Sequence, residues 1–339
     1  MQSVTERRGT SDEGRSNLHS TSVPRSGLSS VLQSARIRLA SIDDNHTTAS
    51  ALLGHVLGLT RAQVLARPEL VLSTEQAAIF EALVARAAQG EPLAYLTGRR
   101  EFYGLEFEVD ANVLVPRPET ELLVDRALAA RPALVLDVGT GSGCIAVTLA
   151  VRLPLAAITA SDLSPGALAV AGRNAQRHGV AERIAFVQSD LLDAFPVSDR
   201  PASSLTVPED ACTVPDRPAS SLTLPTSNFR PPTSNFHPPF DLIAANLPYI
   251  DPDELSTLPV ARFEPRLALD GGQGGLALIE RLLRQAPRLL APGGRMLLEI
   301  GAGQGSAALG LARGAFPAAA AHIEPDLAGL DRLLVIEAR

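Results

Sequence analysis

The chain beyond Arg131 predicts a doubly wound α/β domain built on a mostly parallel sheet. Three observations carry that expectation. Short apolar runs alternate with stretches of helical periodicity, as in successive strand–helix units. The first run, "ALVLDVG", passes straight into a glycine-rich turn and a helix start. Later runs end on Asp162, Asp190 and Asn246, and the carboxyl ends of the strands are where open α/β sheets bind ligands.

In chain order, residues 1–27 are rich in Arg, Ser and Thr, lack the apolar core of a signal peptide and are expected to be a disordered tail. Residues 28–97 carry apolar residues at helical spacing, clearest in "ASALLGHVLGL" and "TEQAAIFEALVARAAQG", and predict a small helical domain. Ser73-Thr74 offers an N-cap to the second of these helices, and Gly90 a stop. Residues 98–118 alternate apolar and polar positions, which predicts a β-hairpin linker with its turn at Asp110-Ala111-Asn112. Residues 119–339 form the α/β domain, with strands expected in "ALVLDVG", "AAITASD", "RIAFVQSD", "FDLIAAN", "GRMLLEIG" and "LLVIEAR". Within it, residues 196–239 repeat themselves: "DRPASSLT" occurs twice, and "TSNFRPP" is followed at once by "TSNFHPP". Such Pro/Ser/Thr copies cannot build an apolar face and predict a disordered insertion.

Bulk composition narrows the function. The 339 residues carry a formal charge of −7, and all 30 basic residues are arginine. That balance argues against a nucleic-acid coat and, with no apolar run approaching ~18 residues, against a membrane span. Two cysteines, Cys144 and Cys212, make neither a disulfide scaffold nor a zinc site. The expectation is a cytoplasmic monomer with no metal and no direct nucleic-acid or membrane partner.

"VLDVGTGSGCIAVTLA" is a strand, a turn and a helix start in which Gly139, Thr140, Gly141, Ser142 and Gly143 let the backbone approach a ligand. A dinucleotide fingerprint needs its third glycine at 144, where this chain has Cys144. The tighter G-x-G-x-G resembles the S-adenosylmethionine loop of Rossmann-like methyltransferases. Asp162, 25 positions after Asp137, stands where a carboxylate accepts ribose hydroxyls. Asp190 is suited to the adenine amino group, with Leu191 beside the ring.

"FDLIAANLPYI" closes a buried strand on Asn246-Leu247-Pro248-Tyr249. An amide nitrogen is a poor nucleophile, because its lone pair is delocalised into the carbonyl. It needs orientation more than deprotonation. The Asn246 side-chain oxygen and the Leu247 carbonyl are suited to accept the two N–H bonds of a substrate –NH2, which aims the lone pair at a methyl donor. Pro248 fixes the turn, and Tyr249 offers a π face to the substrate or the sulfonium. Asn246, Pro248 and Tyr249 are therefore the expected catalytic residues. Asn246 to Tyr249 form the substrate site, and Asn246 also borders the donor.

N-x-P-Y at a strand end resembles the amino-methyltransferases that act on planar –NH2 groups, with Leu247 where the glutamine branch usually has proline. "EPLAYLTGRREFYGLEFEVDANVLVPRPETELLVD", "FEPRLALDGGQGGLALIERLL" and "LLEIGAGQG" resemble the bacterial peptide chain release factor N5-glutamine methyltransferases, with Gly274 where aspartate is common. This resemblance implies a class I S-adenosylmethionine-dependent fold with a mostly parallel seven-stranded sheet. It also implies a helical domain that docks a class 1 release factor, and a Gly-Gly-Gln loop that delivers its glutamine past the hairpin around Phe102–Gly104. Alternatives are a ribosomal protein L3 glutamine methyltransferase, a DNA adenine-N6 methyltransferase and a non-catalytic donor-binding regulator.

Overall fold

A computed structural model describes residues 27–42, 44–195 and 239–339. The tail expected over 1–27 and the insertion expected over 196–239 therefore lie, apart from Gly27 and Pro239, outside the described residues. The chain divides into two compact units, residues up to Gln89 and Gly90–Arg339.

The first unit contains the helices α1 (Leu28–Arg38), α2 (Asn45–Leu57), α3 (Arg61–Leu65) and α4 (Thr74–Ala88). Their ends are set by local chemistry. Ser73 caps α4 in a reciprocal capping box with Gln76, Thr60 does the same for α3 with Gln63, and Gly58 ends α2 in the left-handed conformation. Leu52, Leu53, Phe80 and Val84 are buried in this unit.

The second unit begins with α5 (Leu93–Thr97) and the antiparallel pair β1 (Arg99–Phe102) and β2 (Leu105–Glu108). The hairpin turn is Tyr103-Gly104, not Asp110-Ala111-Asn112. Phe102 pairs with Leu105, and both intervening residues have positive φ, 53° and 74°, as a two-residue type I′ turn demands. Asp110–Asn112 forms a second turn, in which the Asn112 N–H donates to Asp110 Oδ1 at 2.9 Å.

There follow α6 (Glu121–Ala130), β3 (Leu134–Val138), α7 (Cys144–Arg152), β4 (Ala157–Asp162), α8 (Pro165–Arg177), β5 (Ile184–Gln188), β6 (Phe240–Ala245), α9 (Pro252–Leu255), α10 (Ala277–Gln285), β7 (Leu290–Glu299), α11 (Gly305–Ala315), β8 (Ala320–Pro325) and β9 (Asp331–Glu337). The seven strands from β3 onward lie in the order β5-β4-β3-β6-β7-β9-β8. The first five are parallel and the last two pairings antiparallel, so the sheet is mostly parallel, as the resemblance implied.

Alternate residues of each central strand feed opposite layers. Val135, Leu242, Ala244 and Leu297 pack with α6 and α7, whereas Leu136, Ile243, Ala245 and Leu298 pack with α10 and α11. Burial on both faces is why these strands read as continuous apolar runs. The order also creates a switch point: the chain leaves β3 toward β4 and β5, then returns to β6 on the other side of β3. The flanks of that return meet, because the Phe195 and Phe240 rings pack edge to face with centroids 6.1 Å apart. A crevice opens at the carboxyl ends of β3 and β6.

Candidate active site

A cavity of about 320 Å³ fills that crevice, within the size range of small-molecule sites. Its wall includes Gly139, Thr140, Gly141 and Ser142 after β3, Asp162 at the end of β4, Asp190 and Leu191 beyond β5, and Asn246, Leu247 and Pro248 after β6. Residues from four strand ends, dispersed through the sequence, thus share one cavity.

The glycine loop owes its shape to its backbone. Gly139, Gly141 and Gly143 have φ of 72°, 55° and 80°, a region where a Cβ is strained. Most loop N–H groups are already used within the protein. Gly139 and Thr140 donate to the Ser161 carbonyl, Gly143 donates to that of Thr140, and Gly141 donates to Asp162 Oδ2 at 2.9 Å. Gly143 lies outside the cavity wall. A Cβ there would stand 3.0 Å from the Ala171 methyl, so this glycine lets α7 approach α8. Buried Asn174 of α8 holds the loop from behind by donating to the Ser142 carbonyl at 2.8 Å.

The polar atoms left over fit an S-adenosylmethionine. Ser142 is buried and lines the cavity next to Cys144. Asp162 accepts the N–H groups of Gly141 and Ser164, one on each carboxylate oxygen, and each oxygen keeps a second lone pair. Burial holds its carboxyl above the usual range. Asp190 pairs with Arg281 through Oδ2 at 3.0 Å. Leu163 and Leu278 join Leu191 as apolar walls. Behind the loop, Asp137 is buried and accepts from Thr140 Oγ1 at 2.7 Å, and burial raises its carboxyl to about 7.

At the end of β6, Asn246 donates through Nδ2 to Thr120 Oγ1 at 3.0 Å, which turns the amide so that Oδ1 points the other way. Leu247 is buried, and its side chain lies 3.0 Å from where a Gly139 Cβ would stand, so the strand exit and the glycine loop pack on each other. Pro248 lines the cavity. Tyr249 does not. Its carbonyl accepts from Gln304 Nε2 at 2.9 Å, its ring lies toward Gly301, and burial raises its phenol to about 12. The half-buried Tyr249 ring thus stands beside Gly301 and not in the wall of this cavity. The segment Gly271–Gly275 braces the same turn. A Cβ on Gly271 would stand 2.7 Å from the Pro248 carbonyl oxygen, and one on Gly275 would run into the Tyr249 carbonyl.

The rim also differs from expectation. Phe102–Gly104 is absent from the cavity wall; Tyr103 instead donates from its N–H to Glu121 and from its hydroxyl to Asp125. The rim is formed by Ala111–Leu114, Pro116 and Arg117 facing Pro265, Leu267 and Ala268. Arg117 and buried Glu264 join its two sides in a 2.7 Å ion pair. Thr120, Arg117 and Arg281 had no assigned chemistry in the sequence. The first two lie in "VPRPETE", whose residues are close in sequence but whose partners Asn246 and Glu264 are more than a hundred positions away.

A family profile described as the PrmC N-terminal domain matches residues 30–98, and one described as a methyltransferase domain matches residues 135–221. The release factor glutamine methyltransferase of Cereibacter sphaeroides is 40% identical over 301 residues, covering 88% of this chain and 93% of that protein. The namesake enzyme of Nitratidesulfovibrio vulgaris is 37% identical, covering 94% and 97%, and that of Chlorobaculum tepidum is 39% identical, covering 76% and 79%. The sheet order and the matched methyltransferase domain make the second unit a Rossmann-like class I S-adenosylmethionine-dependent methyltransferase. With identities and coverages this high, the chain is a member of the release factor glutamine methyltransferase family.

Proposed function

We propose that this enzyme methylates the side-chain amide nitrogen (N5) of the glutamine in the Gly-Gly-Gln motif of class 1 peptide chain release factors. The observation that carries the reading is that Asn246 and Pro248 share one cavity with Asp162 and the Gly139–Ser142 loop. An amide acceptor and a candidate donor-binding loop therefore face the same cavity. Bound S-adenosylmethionine supplies an electrophilic methyl group on a sulfonium sulfur, and the C–S electron pair leaves with the thioether product.

The residues of this chain provide the rest. Asp162 accepts the ribose hydroxyls, Asp190 accepts the adenine amino group while Leu191 covers the ring, and Ser142 meets the amino-acid end. Gly139, Thr140, Gly141 and Gly143 shape the loop. Asn246 Oδ1 and the Leu247 carbonyl each accept one N–H of the substrate glutamine, which pins the nitrogen with its lone pair toward the methyl. Pro248 keeps that carbonyl in place, and Tyr249 acts through the backbone of the turn. The nitrogen loses its proton after transfer, so no tuned base is needed. One copy carries both halves of the site, which supports a monomer. A release factor works on ribosomes, which supports a cytoplasmic enzyme.

Two measurements test this reading. Asp162→Ala should weaken donor binding by about 1.5–3 kcal/mol, the range for hydrogen bonds to a charged group. Unchanged affinity by calorimetry would remove Asp162 from the donor site. Mass spectrometry of a folded release factor incubated with enzyme and donor should show one added methyl on the Gly-Gly-Gln glutamine. Remote contacts, to which the helical unit contributes, would supply much of the binding energy, so a short Gly-Gly-Gln peptide should react poorly. Methylated ribosomal protein or adenine-containing DNA beside an unmodified release factor would overturn the assignment.

A further inference from the structure

Thr120 stands in a place where threonine usually has a simpler purpose. It directly precedes α6, and a hydroxyl at a helix start ordinarily caps the helix. Here it does not: Thr120 has helical φ/ψ of −65° and −17° and makes no side-chain cap. Its side chain instead crosses to a residue 126 positions away and accepts from Asn246 Nδ2 at 3.0 Å. Thr120 is buried, yet it lines the cavity. Asn246 has no other side-chain hydrogen bond among the described residues.

A second observation bears on the same hydroxyl. Ala245 pairs with Leu298 in the parallel register of β6 and β7, so Asn246, the first residue past β6, stands beside Glu299, the last residue of β7. Glu299 is buried, and neither carboxylate oxygen has a hydrogen bond of ordinary geometry. Burial pushes its carboxyl up to about 7, and among the groups that favour its charged form the Thr120 hydroxyl has the largest effect. A hydroxyl has one proton to give and lone pairs to accept with. With Asn246 Nδ2 on a lone pair of Thr120, the Thr120 proton is left to face Glu299.

We infer that Thr120 is a positioning residue for methyl transfer, fixing the amide of Asn246 so that its oxygen, not its –NH2, meets the substrate nitrogen. This rests on the reading of Asn246 as the acceptor for the substrate amide. The final torsion of asparagine is broad and roughly two-fold, so packing alone selects weakly between the two amide orientations. In the flipped orientation a donor –NH2 faces the donor –NH2 of the glutamine, and the lone pair is no longer aimed. The hydroxyl discriminates between the two, because it is held to accept from Asn246 when its own proton is directed at Glu299.

The test compares Thr120→Val, which keeps shape and removes the hydroxyl, with Thr120→Ser, which keeps the hydroxyl, each alone and in an Asn246→Ala background. Thr120→Val should lower kcat roughly tenfold or more, with KM for the folded release factor and donor affinity within about twofold. Thr120→Ser should recover most of that loss. In the Asn246→Ala background Thr120→Val should have little further effect, because the two residues act as one unit. If Thr120→Val does not fold, Thr120→Ala against Thr120→Ser carries the same comparison. A Thr120→Val kcat within twofold of the parent, or an undiminished loss in the Asn246→Ala background, overturns the inference. Near-normal turnover of Asn246→Ala alone overturns the reading of Asn246 itself, so the two failures are told apart.

Discussion

Asn246→Ala is expected to lower turnover by about 10²-fold or more while donor affinity changes little, as for loss of one preorganised polar group at a reacting centre. The separation follows from where the side chain points. Its Nδ2 is spent on Thr120 and its Oδ1 is turned away from that bond, so the atom lost is the one proposed to orient substrate. The proposed donor contacts, from Asp162, Ser142 and the glycine loop, belong to other strand ends. The alanine leaves the Thr120 hydroxyl without its donor, a modest cost that the neighbouring Glu299 reduces. Single-turnover rates with saturating donor, together with calorimetric donor affinity, decide the matter. A variant that turns over within a few-fold of the parent would remove Asn246 from the chemistry.

Gly275→Ala should be nearly as damaging, although Gly275 lies outside the cavity wall. It has a φ of 69°, and an added methyl would run into the Tyr249 carbonyl and stand 2.5 Å from Gln304 Nε2. That nitrogen is the donor holding the Tyr249 carbonyl. The methyl therefore presses on the turn that carries Asn246 and Pro248, and a displacement of about 1 Å at a reacting centre costs on the order of 10²-fold in rate. Gly274→Ala is the control. Gly274 has a similar φ of 65° and nothing within 4 Å of the added carbon, so it feels backbone strain without the push. A large fall in kcat for Gly275→Ala beside a small one for Gly274→Ala is the expected result. Equal effects would show that strain, not displacement of the turn, governs this segment.

Much of the sheet was legible because its central strands are buried on both faces. Val135–Val138 and Leu242–Ala245 are runs of large and small apolar residues with little else, and burial that complete leaves few alternatives to a strand. β8 was not legible. Its residues Ala320–Pro325 lie at the sheet edge, partly exposed, and "AAHIEP" lacks the β-branched and aromatic density of a strand. The hairpin turn was misplaced for a related reason. Asp110-Ala111-Asn112 has turn chemistry, whereas the actual turn puts a tyrosine at φ 53°, a conformation that composition does not advertise.

In the site, the residues at strand ends were legible because topology alone carries them to one edge. Asp162, Asp190 and Asn246 needed only the order of strands. What escaped were pairings between distant segments: Thr120 with Asn246, Arg117 with Glu264, and Asn174 with the Ser142 carbonyl. Each member reads locally as an ordinary helix-start or surface residue, and its partner is chosen by packing. The placement of Tyr249 outside the cavity wall escaped likewise, since its contacts are with Gln304 and Gly301, more than fifty positions on.

The edge-to-face contact of Phe195 and Phe240 has a consequence for how this gene can change. It fastens together the two points between which 44 residues of the chain run. The folding entropy of a flexible loop grows only with the logarithm of its length, about 0.6 kcal/mol for each doubling. For a loop as flexible as Pro/Ser/Thr composition predicts, a slipped duplication of the kind recorded in the paired "DRPASSLT" and "TSNF" copies would add a fraction of that amount. The same event between β3 and α7 would break the donor loop. On that expectation the aromatic clasp would mark a site where replication errors are nearly silent to selection on folding, and where sequence length could drift while the carboxyl edge of the sheet stays unchanged.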